Sequence, residues 1–121
     1  MKKVKIIDLG GSSSVPMDAI KFDFSPFLLY LNGENQLGYE ATPYRFRIGG
    51  FKAESQETFN GMMDVLVEKA KAQGKEGIHA YKRWDDKEIH MMELYGFHKR
   101  YSDGINIDMC LVFKEAEEQE K

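Results

Sequence analysis

Cysteine is almost missing from this sequence. Cys110 stands alone, so no internal disulfide can form and a zinc site built on several cysteines is excluded. Long apolar runs are missing as well; none approaches the roughly 18 residues of a membrane-spanning helix. The opening segment, Met1-Lys2-Lys3-Val4-Lys5-Ile6-Ile7-Asp8, is basic, but its apolar part is short and broken by Asp8, which does not fit a secretion signal. Nor is there an excess of positive charge. Lys and Arg number 17 against 20 Asp and Glu, a net charge of −3, so the electrostatic footprint of a general nucleic-acid binder is lacking. What remains is an ordinary balance of 42% hydrophobic and 31% charged residues in 121 positions, enough for one core and not for two. The expectation is a cytoplasmic protein with one domain over residues 1–114 and a solvated, charged tail over 115–121. Neither a membrane nor a nucleic acid is expected as a partner.

Proline occurs only three times, and two of the three fall in residues 15–26. That stretch has room for one short helical turn at most. Before it, residues 3–9 read as a strand rich in β-branched residues, broken by Gly10-Gly11-Ser12-Ser13-Ser14. This glycine-serine run has no lysine in phosphate-loop register. Phe27-Leu28-Leu29-Tyr30-Leu31 is a compact apolar strand, and Asn32-Gly33 is a strong hairpin signal. Leu37–Ala41 is the returning strand and Thr42-Pro43 the next turn. Tyr44-Arg45-Phe46-Arg47-Ile48 alternates, which places Tyr44, Phe46 and Ile48 on one face and both arginines on the other. Gly49-Gly50, before Phe51, marks a bulge or a close backbone approach. The three strands form an antiparallel meander.

Phe59, Met62, Met63, Leu66, Val67 and Ala70 then fall on one stripe at the helical period. Ser55 is the candidate N-cap and Gly74 the candidate C′ residue. Gly77-Ile78-His79-Ala80-Tyr81 is a short strand, and strand–helix–strand implies a parallel pair. Asp85 and Glu88 are spaced as a capping box for a second helix that carries Ile89, Met92 and Tyr95 and stops at Gly96. Phe97 opens a strand, Ser102-Asp103-Gly104 turns it, and Ile105–Lys114 closes the fold.

Four segments stand out in that frame. Phe51-Lys52-Ala53 leads into Gln56-Glu57-Thr58-Phe59-Asn60-Gly61 at the mouth of the long helix. Asp85 follows the strand after that helix. Leu94-Tyr95-Gly96-Phe97 ends the short helix, and Ile107–Lys114 is an apolar last strand with a basic end. In this order they resemble the GNAT superfamily of N-acetyltransferases, over roughly residues 27–114. The family's Gln/Arg-x-x-Gly-x-Gly/Ala loop is matched at Gln56 and Gly61, with Phe59 at the first glycine. Asp85 stands where the family often has Asn.

The resemblance implies an α/β fold: a mixed, mostly antiparallel sheet of six or seven strands, a long central helix and a shorter second one. It implies acetyl-CoA as co-substrate and transfer of the acetyl group to a primary amine of a small molecule or protein. A helix N-terminus suits a pyrophosphate, which assigns Gln56, Thr58, Phe59, Asn60 and Gly61 to the cofactor. Backbone N–H groups near Phe51, Lys52 and Ala53 would polarise the thioester carbonyl, with Asp85 close by. The family's frequent acid Tyr falls at Met92 here; Tyr95, three residues on, is the candidate general acid, or else a packing Tyr. His79, alternating with Ile78 and Ala80, is the candidate base, or else a satisfied strand histidine; Glu40 is a second candidate.

Some residues depart from the pattern. Phe59 either brings a ring to the phosphates or points into the core. Glu54 and Glu57, with no Arg or Lys between Ala53 and Gly61, suit the helix dipole and repel a phosphate. Residues 10–26 replace the two helices the family usually has there. His79, His90 and His98 fall on different elements, and no metal site is expected. Lys82-Arg83-Trp84 is either a phosphate contact or a loop with one anchoring ring. Cys110 reads as a buried thiol, and Arg45 and Arg47 as a solvated face or one meeting an acidic partner. The second functional reading is therefore a non-catalytic protein of the same fold, binding CoA weakly or holding a protein partner. An exposed last strand offers a route to a homodimer.

Overall fold

The structure, a computed structural model, describes residues 5–11, 15–22 and 25–113. The start of the expected first strand, the serines of the following loop and the charged tail lie outside the described residues. The elements are β1 (Ile7–Gly10), β2 (Phe27–Asn32), β3 (Asn35–Ala41), β4 (Arg45–Lys52), α1 (Gln56–Ala72), β5 (Gly77–Lys82), α2 (Asp86–Tyr95), β6 (His98–Ser102) and β7 (Ile107–Val112). The seven strands make one sheet in the order β1-β2-β3-β4-β5-β7-β6. The β4–β5 pair is parallel and all the others are antiparallel. The last strand is therefore interior, flanked by β5 and β6. β5 pairs with it over its whole length and β6 over Ile107–Cys110, so it is not the exposed last strand that was expected.

Local chemistry sets the element ends. The β2–β3 turn is Gly33-Glu34, one residue later than the Asn-Gly pair suggests. Asn32 Oδ1 closes it by accepting from the Glu34 N–H at 3.0 Å and from Asn35 Nδ2 at 2.9 Å, so β3 begins at Asn35 and not at Leu37. Thr42 accepts and donates bonds with the Arg45 main chain, so β4 starts at Arg45. Tyr44 falls outside the strand and is 70% exposed, off the face it was expected to share with Phe46 and Ile48. Gly49 is the extra residue of a bulge: Gly38 lies opposite Gly50, and Tyr39 opposite Ile48. The extra residue keeps Phe46, Ile48 and Phe51 on the same buried face.

α1 lays Phe59, Met62, Met63, Leu66 and Ala70 against that face, all fully buried. Each contributes up to about 1.5–3 kcal/mol of burial for the larger side chains. The helix starts at Gln56, as the Ser55 N-cap predicts, with Ser55 Oγ accepting the Thr58 N–H. It ends in a Schellman motif. Gly74, at φ 74°, lets its own N–H reach Lys71 O and the Lys75 N–H reach Ala70 O. α2 packs on the same side of the sheet. Asp85 and Glu88 form the predicted capping box, and the Phe97 N–H closes the other end on Met92 O. Phe97 is thus spent on the helix end and the core, and β6 begins at His98. Likewise Asp103 accepts the N–H groups of Ile105 and Asn106, which delays β7 to Ile107.

The opposite face of the sheet is covered over β2–β4 by residues 15–22, which contain a turn closed by Ala19 N–H to Pro16 O. Ile20 N–H donates to Gln36 Oε1 at 2.5 Å, and Tyr30 donates to Asp18 at 2.6 Å. The Phe22 ring lies directly on Gly38 and Gly50, where a Cβ would clash with it. This paired glycine floor is what the expected close backbone approach at Gly49-Gly50 serves.

Candidate functional site

β4 and β5 pair only over Arg45–Arg47 and Gly77–His79. Beyond that point β4 stays with β3 as far as Lys52, opposite Gln36, and β5 stays with β7 as far as Lys82, opposite Ile107. The two strands therefore part. Trp84 sits beside the parting, 5% exposed, with its ring stacked on Phe51 at 5.7 Å. Its Nε1–H donates to the carbonyl of Ala80, one residue past the last β4–β5 pair, at 3.0 Å. Lys82 Nζ lies 5.1 Å from the Trp84 ring and 6.0 Å from that of Phe22.

Next to this wedge is a cleft of about 280 Å³ lined by Glu34, Phe51–Glu54, Lys87, Glu88 and Met91. A second hollow, of about 420 Å³, is lined by Arg83, Trp84, Asp85, Asp86 and Glu88. The structure thus gathers Phe51, Lys52 and Ala53 against the first turn of α2, with Asp85 on the neighbouring hollow. In both linings carboxylates outnumber cations.

The mouth of α1 is closed by its own hydrogen bonds. Residues 56–61 are already helical. The Phe59 N–H is bonded to Ser55 O at 3.0 Å, the Thr58 N–H to Ser55 Oγ at 3.1 Å and the Glu54 N–H to Asn35 Oδ1 at 2.9 Å. Gln56 and Glu57 keep first-turn N–H groups that a helix leaves without an internal partner. Phe59 points into the core, 4.7 Å from Phe51 and edge-on to Tyr95 at 6.2 Å. Asn60 accepts from Gln56 Nε2, which also donates to Met91 O, so Gln56 ties α1 to α2. A Cβ on Gly61 would meet Ile6 at 3.5 Å, beneath the N-terminal segment. Phe59, Asn60 and Gly61 are therefore not presented at the helix mouth.

The proton-transfer candidates lie apart. Tyr95 donates to Asp64 on α1 at 2.7 Å. Burial and then that hydrogen bond push its pKa far above the ordinary phenol range. Its ring packs on Phe59 and Phe97 beneath the helices, and it does not line the cleft. Met92, at the family's acid position, is fully buried. His79 is on the other face of the sheet, opposite Arg47 in register at the last β4–β5 pair. Burial lowers its pKa. Asp108 pulls it back up, and Arg45, Arg100 and Arg47 push it further down. Glu40 is engaged by Arg47 in an ion pair.

Asp108 is a residue that pattern reading passes over. It is 5% exposed, accepts two bonds from Arg100 on Oδ2 and has Oδ1 3.8 Å from His79 Nδ1. A lone carboxylate between Ile107 and Met109 in an apolar strand is the signal available for it. Trp84 was legible as the anchoring ring of its loop, but its place as a wedge was not, because that depends on where β4 and β5 part. Among the described residues no group of three or more His, Cys, Asp and Glu is placed to hold a metal ion, and no helix is long and apolar enough to cross a membrane.

No protein-family model matches the chain, and no curated protein matches it. Among the solved structures that share its architecture are these two. One, assigned as an acetyltransferase of the GNAT family from Desulfovibrio desulfuricans, is 14% identical, with a TM-score of 0.54 over 71% of this chain and 67% of its own. The other, Ard1 from Thermoplasma volcanium, is 20% identical, with a TM-score of 0.51 over 71% of this chain and 68% of its own. At these identities the likeness establishes the fold: the seven-stranded sheet with two helices on one face is of the GNAT type.

Proposed function

We propose that this chain is an acyl-CoA-dependent N-acetyltransferase that moves an acetyl group from acetyl-CoA to a primary amine of a small molecule or protein. The observation that carries the reading is the parting of β4 from β5 after Arg47 and His79, beside a cleft floored by Phe51–Ala53. An extended thioester arm fits along a strand that has lost its neighbour. Main-chain N–H groups of β4 beyond Arg47, up to Phe51 and Ala53, would polarise the thioester carbonyl. The phosphates would take the N–H groups of Gln56 and Glu57 and the positive end of α1. Trp84 has to turn away from Phe51 to admit the arm.

In this reading the amine enters from the His79 face. Its nitrogen bonds to the acetyl carbon, the carbon–sulfur bond breaks with its electron pair on sulfur, and the nitrogen's proton passes to His79. A half-buried imidazole held neutral by burial is suited to accept it. The thiolate takes its proton from water. Tyr95, bonded to Asp64, serves to hold α2 on α1.

A second reading, a non-catalytic protein of the same fold that binds CoA weakly or holds a protein partner, is favoured by two observations. Trp84 occupies the parting, and Glu34, Glu54 and Glu88 line the cleft. Titration calorimetry and thermal shift with millimolar acetyl-CoA separate the readings, since a ligand of the native state must stabilise it. Binding together with thiol release on adding amines supports the enzyme. Neither heat nor shift overturns it, and binding without thiol release across an amine panel leaves the second reading.

A further inference from the structure

His79 lies at the apex of the parted strands, and Asp108 is its diagonal neighbour. Across β5 and β7, Asp108 is opposite Tyr81, two residues beyond His79 on the same face. Burying a carboxylate in an apolar strand is costly unless its oxygens are bonded. Arg100 meets only half of that need. Its Nε and Nη2 both donate to Oδ2, at 2.9 and 2.5 Å, where a side-on fork would give one bond to each oxygen. Oδ1 is left buried and, among the described residues, without a hydrogen-bond partner. His79 Nδ1 lies 3.8 Å from it. A movement of less than about 1 Å makes that a hydrogen bond.

We propose that Asp108, anchored by Arg100, is a positioning residue for His79: Oδ1 holds the imidazole through an Nδ1–H and leaves Nε2 as the proton acceptor. The proposal rests on the acetyltransferase reading for its catalytic meaning. The amine nitrogen bonds to the acetyl carbon and the carbon–sulfur pair leaves on sulfur. The nitrogen's proton goes to Nε2, and the imidazolium so formed faces the Asp108 carboxylate until it loses that proton to water. The other groups around the imidazole are Arg45 and Arg47 on β4 (Arg47 paired with Glu40 on β3), Tyr81 on β5, Cys110 directly opposite on β7, and His98 and Arg100 on β6. Among them Asp108 supplies the carboxylate that lies within reach of Nδ1.

The experiment is a long-range proton–nitrogen NMR titration of histidine-labelled protein, followed by transfer kinetics. In the wild type, neutral His79 should carry its proton on Nδ1. Asp108→Asn should return it toward the Nε2–H form and lower its titration midpoint by about one pH unit. It should also lower kcat about tenfold or more, with the KM for acetyl-CoA unchanged. A wild-type Nε2–H tautomer, or a tautomer and midpoint that Asp108→Asn does not move, overturns the proposal. The wild-type tautomer needs no substitution, so the claim stays open to refutation if Asp108→Asn fails to fold. The spectra need no acetyl-CoA, so a protein that does not bind it loses the enzyme reading while the Asp108–His79 coupling is judged separately.

Discussion

The two faces of the sheet solve opposite problems with the same strands. On the helix face, Phe51, Phe59, Trp84 and Tyr95 build an aromatic cluster that ends at a cleft rimmed by carboxylates. On the other face, over β4–β7, the side chains are Arg45, Arg47, His79, Asp108 and, from β6, Arg100, in ion pairs or in electrostatic contact with His79. The helix face holds its shape by apolar burial, with polar groups that cap α1 and α2 and tie elements together, Gln56 to Met91, Tyr95 to Asp64, and Asp8 to Tyr39 and Lys69. The His79 face holds its shape through charge pairing, which leaves a half-buried imidazole, its pKa lowered by burial, beside a half-satisfied carboxylate. Packing and satisfied hydrogen bonds account for the first. The second carries an unsatisfied atom that packing does not need, and that difference places the candidate proton chemistry on the face away from the helices.

The contrast can be broken most sharply on the helix face. Phe59→Ala should cost about 3–5 kcal/mol, read from the denaturant midpoint, because a fully buried ring between Phe51 and Tyr95 leaves a cavity. A ring lying among phosphates would cost far less. Trp84→Ala tests the wedge: acetyl-CoA should bind about tenfold more tightly, by calorimetry, if stacking on Phe51 must be undone first. Unchanged affinity would mean that Trp84 does not obstruct the arm. Tyr95→Phe should lower stability by about 0.5–1.5 kcal/mol through the lost bond to Asp64 and leave the transfer rate unchanged. A large fall in rate would restore Tyr95 to the chemistry.

Smaller effects come from charge. Glu34→Gln with Glu54→Gln should tighten acetyl-CoA binding a few-fold at low salt and hardly at all at high salt, since both line the cleft. On the His79 face the prediction concerns pH. Burial holds the pKa of folded His79 below the ordinary imidazole value of about 6.5. As pH falls below that value the unfolded chain binds a proton that folded His79 refuses, so stability falls down to the folded pKa. His79→Gln should flatten this part of the stability–pH curve. An unchanged slope would assign it to other groups.

Much of this was legible in the residues themselves. The α1 stripe from Phe59 to Ala70, the Ser55 and Gly74 ends, the Asp85–Glu88 box and the Gly49-Gly50 bulge are local signals, each readable within one or two turns of chain. The misread ends, at Tyr44, Phe97 and Ile105, share a cause. In each case a turn or cap hydrogen bond claims the backbone next to an apolar residue that pattern alone would place in the strand. The site was less legible. Gln56 and Gly61 match a family spacing, yet the structure turns Gln56 toward Met91 and sets Gly61 beneath Ile6.

The sequence by itself determined the elements, their order and the parallel pairing of β4 with β5, because periodicity, caps and turn residues act over short distances. It also left Phe59 with two possible directions and His79 with two possible roles. Only the tertiary structure decided those matters that depend on residues far apart in the chain. Phe59 goes into the core because Phe51 and Tyr95 meet it there. Trp84 wedges the parting because β4 follows β3 while β5 follows β7. Asp108 comes within reach of His79 because β7, the last strand, pairs beside β5 and not at the sheet's edge. Side-chain periodicity says which face a residue takes; strand order alone says which residues share it.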